Sequence, residues 1–114
     1  MAVTILHNPR CSKSRQTLQL LRDNGVEPKI VEYLSDTPDA PAIASILKKL
    51  GLSARDLMRR KEAIYKELGL ASVDSEEKLI TAMVENPILI ERPIVLANGK
   101  AALGRPPESV LEIL

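Results

Sequence analysis

The chain holds one cysteine, Cys11, in the run Leu6-His7-Asn8-Pro9-Arg10-Cys11-Ser12-Lys13-Ser14-Arg15. An apolar, β-branched stretch precedes this run and an amphipathic helical pattern follows it, so the thiol falls at the first turn of a helix. The first amides of a helix lack intrahelical acceptors, and the helix dipole places partial positive charge there. Such a position favours an anion, and a thiol held in it ionises more readily than a free one. The thiolate is the nucleophilic form of cysteine. Cys11 is therefore the candidate nucleophile. Without charged neighbours, a cysteine at a helix start would read as a small buried hydrophobe.

The neighbours support chemistry. Arg15 lies one turn on from Cys11 and on the same helix face, within reach of an oxyanion held at the thiol. Ser12 and Ser14 offer hydroxyl and backbone donors in the first turn. His7 ends the strand that feeds the loop; it reads either as a cation or proton donor near the thiol, or as a ring that hydrogen-bonds the loop. How the thiol is regenerated narrows the class. Dithiol oxidoreductases carry C-x-x-C, whereas this chain reads C-x-x-S, with Ser14 in place of a resolving cysteine. An oxidised Cys11 must therefore be released by an external thiol. Arg15 also follows too soon for the C-x5-R phosphate loop of cysteine phosphatases.

Three further arginines stand at junctions between elements. Arg59 follows Leu57-Met58 at the end of a short helical pattern, Arg92 precedes Pro93 before a strand, and Arg105 lies between Gly104 and Pro106-Pro107. A proline fixes the backbone direction beside it, so these side chains can project towards a cleft. Spacing alone leaves open whether they meet at Cys11 or are solvated surface charges.

The elements that must position these groups follow from periodicity. Residues 3–7 form a short apolar run suited to a buried strand. From residue 12 the period becomes helical, with Leu18, Leu20 and Leu21 on one stripe and Asn24-Gly25 as the stop. Residues 28–33 read as a second strand. One helix between two strands predicts a parallel pair with a right-handed crossover. Thr37-Pro38-Asp39-Ala40-Pro41 then opens a helical stretch. It contains a helix ending before Gly51, a short helix capped by Ser53, another over 62–68 closed by Gly69, and a fourth from Ser75 that Pro87 stops. Ile94-Val95-Leu96 and Ala101-Ala102-Leu103 flank Asn98-Gly99, a strong hairpin signal. A last short helix runs from Pro106 or Pro107 through Val110 and Leu111. The expected fold class is α/β: a thioredoxin-like core, β-α-β … β-β-α, with an inserted helical region. Its 114 residues are expected to form a single domain, the insertion spanning about 38–87.

Composition excludes several functions. The net charge is +1, and the aromatic residues are two tyrosines with no Trp or Phe. A protein built to grip phosphate backbones or to stack single-stranded bases would differ on both counts, so no nucleic-acid partner is expected. No apolar run is long enough to span a bilayer, so no membrane partner is expected. The N-terminal residues read as a strand rather than a targeting segment, and one cysteine cannot form an internal disulfide. A reducing, cytoplasmic location is the expectation.

The run His7-Asn8-Pro9-x-Cys11-x-x-Ser14-Arg15 resembles the active-site signature of the glutaredoxin-coupled arsenate reductases, the ArsC family. The likeness continues through Glu32-Tyr33-Leu34, Gly51-Leu52-Ser53-Ala54-Arg55, Glu67-Leu68-Gly69-Leu70, residues 86–95 and Gly104-Arg105-Pro106-Pro107-Glu108. It covers essentially the whole chain. The resemblance implies Cys11 as nucleophile towards arsenate or a similar oxyanion. It implies Arg59, Arg92 and Arg105 as oxyanion-binding residues, with Ser14 and Arg15 completing the anion loop and His7 helping to ionise the thiol. It further implies glutathione as co-substrate, forming a mixed disulfide that glutaredoxin reduces, and a cis peptide before Pro93. No metal and no tightly bound cofactor are expected. The loop Arg10-Cys11-Ser12-Lys13 is more basic than the Ala-Cys-Gly-Thr of the best-known members. Two alternatives share the fold: a reductase of another oxyanion or of a glutathione mixed disulfide, and a regulator like the Spx family, whose redox-sensing members usually carry C-x-x-C.

Overall fold

The computed structural model describes residues 2–114, which fall into two compact units: residues 2–36 with Arg92–Leu114, and Thr37–Glu91. The first unit is an α/β core of the thioredoxin-like type. Strand β1 (Val3–Leu6) lies at the centre of a sheet ordered β2-β1-β3-β4, with β2 at Lys29–Val31, β3 at Ile94–Ala97 and β4 at Lys100–Leu103. As the single intervening helix requires, β1 and β2 are parallel, pairing Ile5 with Ile30; β3 runs antiparallel to β1, pairing Ile5 with Val95.

Helix α1 (Ser12–Asp23) ends where Asn24-Gly25 predicts. Gly25 takes φ +78°, and the amides of Gly25 and Val26 reach back to the Arg22 and Leu21 carbonyls at 3.0 and 2.9 Å. This is a Schellman closure, in which the left-handed glycine lets the chain satisfy the last carbonyls. The hairpin between β3 and β4 turns on Asn98 and Gly99, at φ +54° and +72°. Two positive φ values in a row match the turn whose twist fits the flanking strands. Val3, Ile5, Val95 and Ala97 on one sheet face pack with Leu18 and Leu21 of α1 and with Val110 and Ile113 near the C-terminus.

Two local expectations are corrected. The second strand is shorter than 28–33, because the chain turns after Val31: the amides of Ser35 and Asp36 both bond the Glu32 carbonyl. The closing helix is a 3₁₀ helix over Pro107–Ile113. Its buried residues Pro107, Val110 and Ile113 recur every third position, which is the period of 3₁₀ winding, whereas Leu111 is only half-buried.

The second unit contains α2 (Ala40–Leu50), α3 (Ala54–Leu57), α4 (Ala63–Glu67) and α5 (Glu76–Glu85), with 3₁₀ turns at Leu70–Ser72 and Pro87–Leu89. Its helix starts follow the sequence closely. Asp39 accepts the Ala42 amide at 2.9 Å, Ser53 and Asp56 form a reciprocal capping box, and Ser75 accepts the Lys78 amide. Arg55 ties the short elements together by donating to the Tyr65 hydroxyl at 2.7 Å and to the carbonyls of Leu70 and Val73. Among the described residues no helix is long and apolar enough to cross a membrane.

Candidate active site

The site grows from the β1–α1 connection. Cys11 is the N-cap of α1, in extended conformation, and its carbonyl accepts the first helical bond, from the Arg15 amide at 3.0 Å. Asn8 shapes the loop before it. The Asn8 carbonyl accepts the Cys11 amide at 3.0 Å, its side-chain oxygen accepts the Arg10 amide at 3.0 Å, and its own amide donates to the Ser14 hydroxyl oxygen at 3.0 Å. Ser14 is fully buried. Its oxygen lies 2.6 Å from His7 Nδ1. The hydroxyl donates in this pair when the ring carries its proton on Nε2, and accepts when Nδ1 carries it.

Electrostatics favour the neutral ring. Burial is the largest influence on His7 and disfavours the charged ring, holding its pKa below the ordinary 6.5; Glu32 opposes this, while Arg22 and Arg15 add to it. Of the two readings of His7, the hydrogen bond to the loop is present, through Ser14, and burial favours the neutral ring.

The thiol behaves differently. Partial burial alone would push the Cys11 pKa up. The Ser14 amide, the Arg92 charge, the Lys13 amide and the Arg105 charge outweigh it, so the pKa lies below the ordinary thiol value. No side-chain hydrogen bond from Cys11 closes the helix start, so the two amides act as oriented dipoles at the sulfur. Arg105 makes the direct contact: Nη2 donates to Sγ at 3.7 Å, while Nε donates to the Arg92 carbonyl at 2.8 Å. The peptide bonds Arg92–Pro93 and Arg105–Pro106 are both cis.

The structure thus brings Arg92 and Arg105 to Cys11, and Ser14 to His7. Arg15 is placed otherwise, its Nη1 donating to the Pro9 carbonyl at 3.0 Å, so that it braces the loop. Arg59 belongs to the helical unit. There it pairs with Glu62 at 3.2 Å and Glu91 at 3.8 Å, and its Nη1 reaches the Ile88 carbonyl at 3.4 Å. Among the described residues no three His, Cys, Asp or Glu side chains are grouped to hold a metal ion.

Sequence reasoning missed three contributors. Asn8 is the hub of the loop, and an Asn-Pro pair two residues before a candidate nucleophile was the available signal. Thr17 is fully buried, with its hydroxyl donating to the Lys13 carbonyl at 2.8 Å. Gly104 lies against Thr17 and Pro93 so closely that a Cβ would collide with both.

A thioredoxin-like core with one thiol at a helix start, beside two guanidinium groups, defines the class to which this protein belongs. The comparisons with known proteins narrow it. The ArsC family model matches residues 6–113. A protein of Escherichia coli K12 that bears the name "Uncharacterized protein YfgD" is 64% identical over 114 residues, spanning 98% of this chain and 96% of that one. An arsenate reductase of Haemophilus influenzae is 50% identical over 116 aligned positions, spanning 100% of both chains. The solved structure of an arsenate reductase from Vibrio cholerae superposes with a TM-score of 0.97 at 51% identity, over 100% of this chain and 98% of that one. The chain belongs to the ArsC family.

Proposed function

We propose that this protein is an arsenate reductase in which Cys11 is the nucleophile and glutathione is the external thiol that releases it. The observation that carries this reading is the Arg105 guanidinium in contact with the chain's single thiol, at a helix start that favours an anion. The arsenate reductases of Neisseria meningitidis and Haemophilus influenzae, each 50% identical to this chain, support the choice of oxyanion.

In the reaction, the Cys11 thiolate attacks arsenic and forms an S–As bond, while one arsenate oxygen takes up protons and leaves as water. Both partners are anionic, so the Arg92 and Arg105 charges offset their repulsion and stabilise the charge that builds on the oxygens. Arg15 joins them in this reading as a further oxyanion ligand, exchanging the Pro9 carbonyl for substrate. Glutathione then attacks Sγ. The S–As electron pair stays on arsenic, which falls from As(V) to As(III) and departs as arsenite. Cys11 and glutathione are left joined in a mixed disulfide. A glutaredoxin thiol reduces that disulfide and restores the thiolate. His7 and Ser14 hold the loop in the geometry for attack. The reading needs no metal and no tightly bound cofactor, and its thiol co-substrates place it in the cytoplasm.

The test is arsenate-dependent NADPH oxidation in an assay coupled through glutathione, glutaredoxin and glutathione reductase, with Cys11→Ser as control. Turnover that disappears in the variant is the expected result. An inactive wild type that still accepts one glutathione at Cys11 would overturn arsenate as substrate, and would favour another oxyanion or a glutathione mixed disulfide.

A further inference from the structure

The Arg105 side chain is exposed, yet it is aimed at Cys11, and a long exposed side chain needs something to fix its root. Its backbone neighbour Gly104 is buried and does not take the positive φ of the chain's other glycines. Glycine is therefore needed there for space and not for backbone freedom. A Cβ at this position would lie 2.5 Å from Thr17 Oγ1, 2.7 Å from Pro93 Cγ and 3.1 Å from Thr17 Cγ2. None of these atoms belongs to a flexible side-chain end. Thr17 is fully buried and its hydroxyl is tied to the Lys13 carbonyl at 2.8 Å, and the Gly104 amide is tied to the Pro93 carbonyl at 3.0 Å.

The same helix carries both ends of this arrangement. Cys11 caps α1, and Thr17 lies on its buried face. The distance from the Arg105 guanidinium to Sγ is thus measured out through α1, across the Thr17–Gly104 contact, and along one residue. We propose that Gly104 is a positioning residue, whose missing Cβ lets the chain rest on Thr17 and so sets the Arg105 guanidinium against Cys11. It acts through Arg105 and touches no reacting atom. The inference rests on Cys11 being the nucleophile of the proposed reaction, but its geometry holds whatever the oxyanion is.

Gly104→Ala must push the backbone off Thr17 by roughly an ångström to restore ordinary van der Waals separation. Arg105 moves with it. A charge withdrawn by that amount from a 3.7 Å contact at a part-exposed site slows thiolate alkylation by about two- to fivefold at neutral pH. The experiment is a double-mutant cycle read by the rate of iodoacetamide alkylation of Cys11 at pH 7, which needs no arsenate turnover. Gly104→Ala is expected to slow alkylation in the wild-type background and to have no further effect in an Arg105→Ala background. Adding Thr17→Ala to Gly104→Ala removes the atoms at 2.5 and 3.1 Å but leaves Pro93 Cγ at 2.7 Å, and is expected to restore part of the rate. The same double variant keeps the test open if Gly104→Ala alone does not fold. An unchanged rate in folded Gly104→Ala, an equal slowing without Arg105, or no recovery on adding Thr17→Ala would overturn the proposal. Failure of arsenate turnover in the wild type, with the alkylation cycle intact, would count against the proposed function alone.

Discussion

Ser14→Ala is the perturbation that asks most of this site. The Ser14 hydroxyl has no exposure to solvent and holds two partners, the Asn8 amide at 3.0 Å and His7 Nδ1 at 2.6 Å. Alanine keeps the helix geometry and the Cβ but leaves both partners without their bond. Each net hydrogen bond contributes about 1 kcal/mol, and a partner left unpaired in a buried place adds to the loss, so about 2–3 kcal/mol is expected. Unfolding entropy of about 2.1 cal/mol/K per residue, over 114 residues, converts this to a Tm lowered by about 8–12 °C. The assay is thermal unfolding followed by circular dichroism at pH 7.5, where the neutral His7 ring dominates. The same variant frees the Asn8 amide, so the loop leading to Cys11 loosens and alkylation of the thiol should slow. A Tm within about 2 °C of wild type would refute the reasoning, because it would mean that the hydroxyl is not the shared acceptor and donor of the loop.

The two titrating groups at the site are both shifted downward, in different pH ranges. His7 has a folded pKa below 6.5, so the unfolded chain binds its proton first; stability is complete above about pH 6.5 and falls as pH drops through that value towards the lowered folded pKa. His7→Asn should flatten this acid limb in urea midpoints measured from pH 7.5 to 5, and an unchanged slope would place the acid sensitivity elsewhere. Cys11 ionises more easily in the fold than in the unfolded chain. Its alkylation rate should therefore reach half-maximum at lower pH in native protein than in urea, and Arg92→Ala should move the native curve back up; coincident native and unfolded curves would remove the basis for an activated thiol.

Much of the architecture is local. Asn24-Gly25, Asn98-Gly99, Ser53 with Asp56, and Ser75 each act within one turn, through a side chain or a φ angle that only a few residue types supply. Those signals delimit elements correctly from the sequence, and they place Cys11 at a helix start. They do not govern how far a strand pairs or how tightly a terminal helix winds. Strand β2 stops at Val31 because the chain turns at Glu32, and Pro107–Ile113 winds as 3₁₀ because every third side chain is drawn to the core.

What the sequence determined by itself is the place of its single thiol at a helix start, the serine where a C-x-x-C motif would have its second cysteine, and the order of elements that presents them. Those depend on residue identity and on neighbours within a turn or two. Which cations serve the thiol was decided only by tertiary structure. Arg105 reaches Cys11 across 94 residues, and the Gly104 backbone fits against the Thr17 and Pro93 side chains where a Cβ would not fit. Arg15, well placed by helical spacing, bonds the Pro9 carbonyl, and Arg59 bonds two carboxylates. The same spacing was compatible with either outcome. His7 shows the physical reason most plainly: its charge is set by burial, and burial is a property of everything packed around a residue rather than of the residues beside it in the chain.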